Sequence, residues 1–183
     1  MDAIELLTTR SSQPRLTEPA PCGEALEIIK KVAIRAPDHA SLKPWKFIVC
    51  QGSGRRKLGD LLEQAAIASG LSDRDIDRAQ ELPMRAPLVI IAIAKHKAHP
   101  KVPQIEQVAS TACAIHSMQM AAVAQGFQGI WRTGIYSQDD NLRQSLYLED
   151  EDEVVGFLYL GTSAKEISDK SNLDPEDFFE YWD

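Results

Sequence analysis

Three short stretches of this chain hold side chains and backbone whose types and spacing could bind an anion or a flat ring. Arg10, Ser11 and Ser12 follow a short apolar segment. A guanidinium can fork two donors onto a phosphate while neighbouring hydroxyls add further hydrogen bonds. Residues 36–45 read APDHASLKPW, and Arg35, His39 and Lys43 place more donors beside a turn held by Pro37 and Pro44. Residues 126–134 read GFQGIWRTG. A glycine-punctuated strand lets the main chain come close to a planar group, where Trp131, Arg132 and Thr133 can present backbone donors.

Each stretch also has a purely structural reading. Arg-Ser-Ser after a helix serves as a surface turn or a cap. A Pro-Trp pair opening a strand anchors packing, with Trp45 closing the core. A bulged core strand accounts for residues 126–134. Taken singly, none of the three decides the matter.

In combination and in this order, the motifs R-S-S, AP-D-H-x-S-x-K-PW and GFQGIWRTG resemble the FMN-dependent nitroreductase family, above all its short members. The likeness covers nearly the whole chain, and VGFLYLGT at 155–162 is similar to the family's last core strand. The resemblance implies an α+β, three-layer fold, with a central, mainly antiparallel sheet flanked by helices. It implies one domain over residues 1–183 and a homodimer with flavin sites at the subunit interface. Arg10, Ser11 and Ser12 would meet the FMN phosphate, Arg35 and His39 would reach the flavin of the neighbouring subunit, and Trp131, Arg132 and Thr133 would line the ring. Ala121, Ala122, Val123, Ala124, Gln125 and Gly126 would meet NADH or NADPH as co-substrate.

The implied activity is ping-pong: hydride passes from NAD(P)H to flavin N5, then electrons pass to a small nitro or quinone-like acceptor. No dedicated catalytic acid or base is needed, and the cofactor carries the redox chemistry. The alternative is a flavin-binding carrier or redox sensor without turnover. Departures from the family pattern stand at Ser11, where a second arginine is usual, and at Ser41 and Lys43, where Asn and Gln are usual. Arg15 is the candidate replacement cation, and Lys165 and Lys170 are the basic residues after Gly161.

Composition narrows the classes. A chain of 183 residues can bury roughly 70% of its unfolded surface as one domain. A formal net charge of -7 opposes phosphate-backbone contacts, so no nucleic-acid partner is expected. Cys22, Cys50 and Cys113 contain no CxxC pair and their odd number argues against a disulfide framework. The acidic start, Met1-Asp2-Ala3-Ile4-Glu5, is unlike a signal peptide, and together these place the chain in a reducing cytoplasm.

The elements that must position these residues follow from periodicity and punctuation. Helices are expected at 4–9, 24–35, from Gly52-Ser53-Gly54 to about Ser69, 72–82 with Ser72 as cap, 105–125 and 139–146. Strands are expected at 45–51, 88–94, 128–133 and 153–161. The helix at 105–125 is apolar or small on nearly every face, and its polar residues break any membrane-spanning run. Burial between the sheet and a partner subunit covers it, which again implies a homodimer. The acidic tail carries Phe178, Phe179, Tyr181 and Trp182, which need a dock on either subunit.

Other motifs carry less. Gly52-Ser53-Gly54 lacks the remainder of a phosphate loop and reads as a strand-to-helix turn. His96 and His99 could hold a metal, but flanking lysines repel a cation and no carboxylate is apparent nearby, so no metal is expected. His116 reads as a buried, hydrogen-bonded histidine. No serine sits in a nucleophile elbow, so hydrolase chemistry has no anchor and no catalytic side chain is named.

Overall fold

The computed structural model describes residues 2–163 and 173–182; Lys165 and Lys170 lie outside them. The elements run α1 (Ala3–Thr9), β1 (Leu16–Thr17), α2 (Gly23–Ala33), β2 (Trp45–Gln51), α3 (Ser53–Ala68), α4 (Asp73–Glu81), β3 (Leu88–Ala94), α5 (Gln104–Ala124), β4 (Gln128–Arg132), α6 (Asp140–Ser145) and β5 (Glu153–Ser163). Local chemistry sets many of the boundaries. The carboxylates of Asp2 and Asp139 accept amide protons at the starts of α1 and α6, and the Ser72 hydroxyl does so for α4. Gly70 and Gly126, at φ 65° and 87°, end α3 and α5 in paired carbonyl-capping bonds such as Phe127 N–H to Ala122 O at 3.0 Å. Gly52, at φ 50°, makes the strand-to-helix turn before α3.

One sheet holds all five strands. β3 lies between β2 and β5, β4 pairs β5 along its other edge, and the two residues of β1 pair the end of β5. Every pairing is antiparallel. All seven residues of β3 are buried. An unbroken apolar strand is usual where both sheet faces are covered. Here α3 and α4 cover one face over Val89, Ile91, Phe157 and Tyr159, whereas α2 and α5 cover the other over Leu88, Ile90, Leu158 and Leu160. The chain is therefore an α+β protein of three layers.

α5 presents ten buried residues, among them Gln107, Ser110, Thr111 and Gln119, whose polar groups bond nearby chain: Ser110 Oγ donates to Pro37 O at 2.6 Å and Gln107 Nε2 to Lys97 O at 2.9 Å. His116, expected to be buried, is not covered by its own chain. It is exposed on the single chain with no hydrogen-bond partner among the described residues, because it lies on the side of α5 turned away from the sheet. No helix among the described residues is long and apolar enough to cross a membrane.

The expectation of no carboxylate near His96 also needs correction. Asp152, 1% exposed, arrives from the turn before β5 and accepts from Lys95 Nζ, from the His96 amide at 3.0 Å and from the Glu149 amide at 2.9 Å. Distance in sequence hid it: 56 residues separate the partners. Arg143 ties the same turn by donating to the carbonyls of Glu149, Asp150 and Asp152. The terminal aromatics Phe178, Phe179, Tyr181 and Trp182 are 67–89% exposed, so they do not dock on the described residues of this chain.

Candidate functional site

The extended segment that follows α1 runs against β4. Gln13 N–H donates to Gly129 O at 3.1 Å, and Gln119 Nε2 of α5 donates to the same carbonyl at 3.0 Å. This places Ser11, only 5% exposed, beside the sheet, where its Oγ accepts from Gln13 Nε2 at 2.7 Å. A hydroxyl that accepts one bond keeps its proton to donate elsewhere. Arg10 Nη1 lies 3.5 Å from Ser12 Oγ. The end of α1 thus carries one guanidinium and two hydroxyls within a few ångströms.

β4 carries the second part. A Cβ on Gly129 would stand 2.7 Å from Leu160 Cδ2 and 3.0 Å from Tyr159 O, so the strand must be bare there. Trp131 turns to the α2/α5 face, and its Nε1 donates to Val155 O at 3.2 Å. Arg132 faces the other side, its guanidinium 5.9 Å above the Tyr159 ring and its buried Nε without a hydrogen-bond partner in the described structure. The strand ends at Arg132, and Gly134, at φ 65°, turns the chain away.

A cavity of about 750 Å³ opens here between the sheet and the α3/α4 layer. Leu62, Leu71, Leu82, Phe157, Tyr136 and Tyr159 form its apolar and aromatic walls, and Thr133 stands at its edge. Its charged lining is one acid, Asp75, against Arg78, Arg85 and Arg132. A neighbouring cavity of about 470 Å³ shares Arg85 and Arg132 and adds Arg15. None of these four arginines is in an ion pair among the described residues. Burial, then repulsion from Arg132 and Arg78, lowers the Arg85 guanidinium from its ordinary range. A guanidinium nonetheless stays charged. Burial pushes the Tyr159 phenol up; burial and then Asp139 and Asp75 do the same for Tyr136, so both remain protonated donors at neutral pH.

The other residues expected at the site lie elsewhere on the single chain. Arg35 follows α2, and His39 sits in a tight turn (His39–Ser41), where its Nδ1 is 2.7 Å from Glu106 Oε2. Neither lines either cavity. The turn is conformationally costly, since Ala40, Ser41 and Lys43 all have φ between 53° and 60°. Asp38 holds it by accepting from the amides of Leu42 at 3.1 Å and Lys43 at 2.8 Å. Residues 121–126 close α5 against α2, where Gln125 Nε2 donates to Ala25 O at 3.3 Å and Ala122 is fully buried. They too are absent from both cavity linings.

Sequence reading missed Arg78 and Arg85. For Arg85 a signal existed: in LPMRAPLVI it is the lone charge within an otherwise apolar run that enters a buried strand. Arg78 carries no such mark, being one of several charges on an amphipathic helix.

A model of the nitroreductase family matches residues 7–162. The chain is 49% identical over 183 residues to the Escherichia coli K12 protein named "Putative NAD(P)H nitroreductase YdjA", covering all of both chains. It is 39% identical over 183 residues to a Haemophilus influenzae protein named "Putative NAD(P)H nitroreductase", covering 99% of this chain and all of that one. Among solved structures, a nitroreductase-like protein from Bacillus cereus superposes with a TM-score of 0.85 at 19% identity, over 100% of this chain and 96% of the other. A Desulfovibrio desulfuricans protein, titled a nitroreductase in complex with FMN, gives 0.76 at 20% identity, over 99% and 98%. With its three-layer fold, its Arg10 group beside β4 and a family match spanning most of its length, this chain belongs to the nitroreductase family.

Proposed function

We propose that the chain is an NAD(P)H-dependent flavin oxidoreductase that holds FMN and works as a homodimer in the cytoplasm, reducing small nitro or quinone-like acceptors. The observation that carries this reading is the aromatic cavity at the end of β4, where Trp131, Arg132 and Thr133 meet Tyr136, Phe157 and Tyr159. The donor set fits a phosphorylated flat ring. Arg10, Ser11 and Ser12 would take the phosphate, and Trp131, Arg132 and Thr133 at the end of β4 would take the ring. Bound FMN would accept hydride from the nicotinamide and pass electrons onward. The residues bind, orient and hold charge: Arg132 favours an electron-rich ring, and the neutral tyrosines donate without losing protons.

Arg35 and His39, exposed and remote from this cavity, would serve the site of the neighbouring subunit. The exposed apolar residues Ile4, Leu7 and Ile105 and the terminal aromatics supply surface for that subunit to cover. The nicotinamide contact at Ala121–Gly126 rests on the resemblance alone, because helix termination already accounts for Gly126. Free cysteines at 22, 50 and 113 agree with a reducing compartment.

The testing experiment is an anaerobic visible spectrum of the purified protein before and after NADPH, then NADH. Bound-flavin bands that bleach within seconds support the reductase. Bands that persist point to a carrier or sensor, and failure of added FMN to bind removes the reading. Within it, Arg10→Ala should weaken FMN binding by about 1.5–3 kcal/mol, the worth of a charge-assisted contact. Unchanged affinity in a fluorescence titration takes Arg10 out of the site.

A further inference from the structure

Of the four arginines around two neighbouring cavities, Arg132 is assigned to the ring and Arg15 is the candidate phosphate cation, which leaves Arg78 and Arg85, against a single aspartate, as more positive charge than a flavin ring can use. An oxidised ring is neutral and a reduced one carries a single negative charge, while the proposed phosphate group lies at Arg10, outside both linings. The surplus has no structural explanation: the arginines form no ion pair among the described residues, and they repel one another in a chain whose net charge is -7. Two of them, Arg78 on α4 and Arg85 after it, stand on the wall facing β4, beside the apolar Leu71 and Leu82. Apolar walls with one or two fixed cations describe a pocket for a flat ring bearing an anionic substituent.

We propose that Arg78 and Arg85 select an electron acceptor that carries a carboxylate on an aromatic ring, with the guanidinium groups binding the carboxylate. This rests on the oxidoreductase reading above and names the substrate class of that same site. For a nitroarene carboxylate the two-electron step balances as follows. The hydride equivalent from NAD(P)H and one solvent proton convert the nitro group to a nitroso group, one N–O bond breaks, and water leaves. The carboxylate is unchanged and serves only for binding.

The test compares 4-nitrobenzoate with 4-nitrobenzyl alcohol, a neutral acceptor with a similar ring, by kcat/KM for each in the wild type, Arg78→Gln, Arg85→Gln and Arg78→Lys. The wild type should favour the carboxylate by on the order of tenfold at low ionic strength, the worth of one charge-assisted contact. Salt should shrink that ratio. Arg78→Gln should bring it towards one with flavin still bound, and Arg78→Lys should keep part of it. A wild-type ratio near one, a ratio unmoved in both glutamine variants, or a loss that falls on the KM for NADPH instead would overturn the proposal.

Benzoate binding by calorimetry supplies a readout that needs no turnover. Saturable binding that weakens in Arg78→Gln supports the anion pocket even if the protein is not reduced by NAD(P)H, in which case the reductase reading fails by itself. No binding to the wild type sinks the pocket whatever the redox result.

Discussion

Asp152→Ala should lower the unfolding midpoint by roughly 6–12 °C. Its carboxylate, 1% exposed, is the shared acceptor for Lys95 Nζ and for the amides of His96 and Glu149. Removing one member of a buried pair costs about 3–5 kcal/mol, and each stranded donor about 1–3 kcal/mol. The Lys95 side chain is 32% exposed and can turn to water, so the low end applies, about 3 kcal/mol. At about 2–4 °C per kcal/mol for a chain of this size, the midpoint moves by the stated amount.

The same group ties stability to pH. Burial alone would raise its pKa, but hydrogen bonds from Lys95 and from the Glu149 and His96 amides outweigh burial and hold it below the ordinary carboxylate range. A depressed folded-state pKa means stability that is present above the unfolded value of about 3.9 and lost as pH falls through the folded value. Wild-type stability should therefore drop in acid below about pH 4, and this component of the drop should be absent in Asp152→Ala. Urea midpoints measured at neutral and acidic pH check it; parallel losses in the two proteins would show that Asp152 is not the group.

Gly156→Ala should cost about 2–4 kcal/mol and disturb the candidate site along with the fold. Gly156 has φ 154°, and it sits at the register shift where β5 leaves strict pairing with β3. A Cβ there would stand 2.2 Å from Trp131 Nε1 and 2.8 Å from Arg132 O. The first atom could swing away, losing its hydrogen bond to Val155 O, but the second is backbone of β4 itself. Relief must move the segment that presents Arg132 and Thr133 to the cavity. Gly54→Ala is the control: it lies within α3, and the nearest atom to its new Cβ is 4.0 Å away, so it should be neutral or stabilise by up to about 1 kcal/mol. Denaturant unfolding of both variants, with flavin content measured beside it, separates a strand-specific clash from a general loss of glycine. Equal midpoints for the two variants would defeat the argument.

The sequence alone determined the fold class and the place of most elements. Period and punctuation placed β2 and β3 at the residues where they fold, and Ser72 at its cap, because alternation, apolar runs and capping hydroxyls act within a few residues. The motifs at Arg10–Ser12 and Trp131–Thr133 named segments that share a carbonyl contact at Gly129. Only the tertiary structure could recruit Arg78 and Arg85, pair Asp152 with Lys95, leave His116 in the open and separate Arg35 and His39 from the cavity on their own chain. Those outcomes depend on which residues meet across tens of positions of chain. That meeting is decided by burial on the two faces of the sheet and by the bulge at Gly156, and neither leaves a local pattern to read.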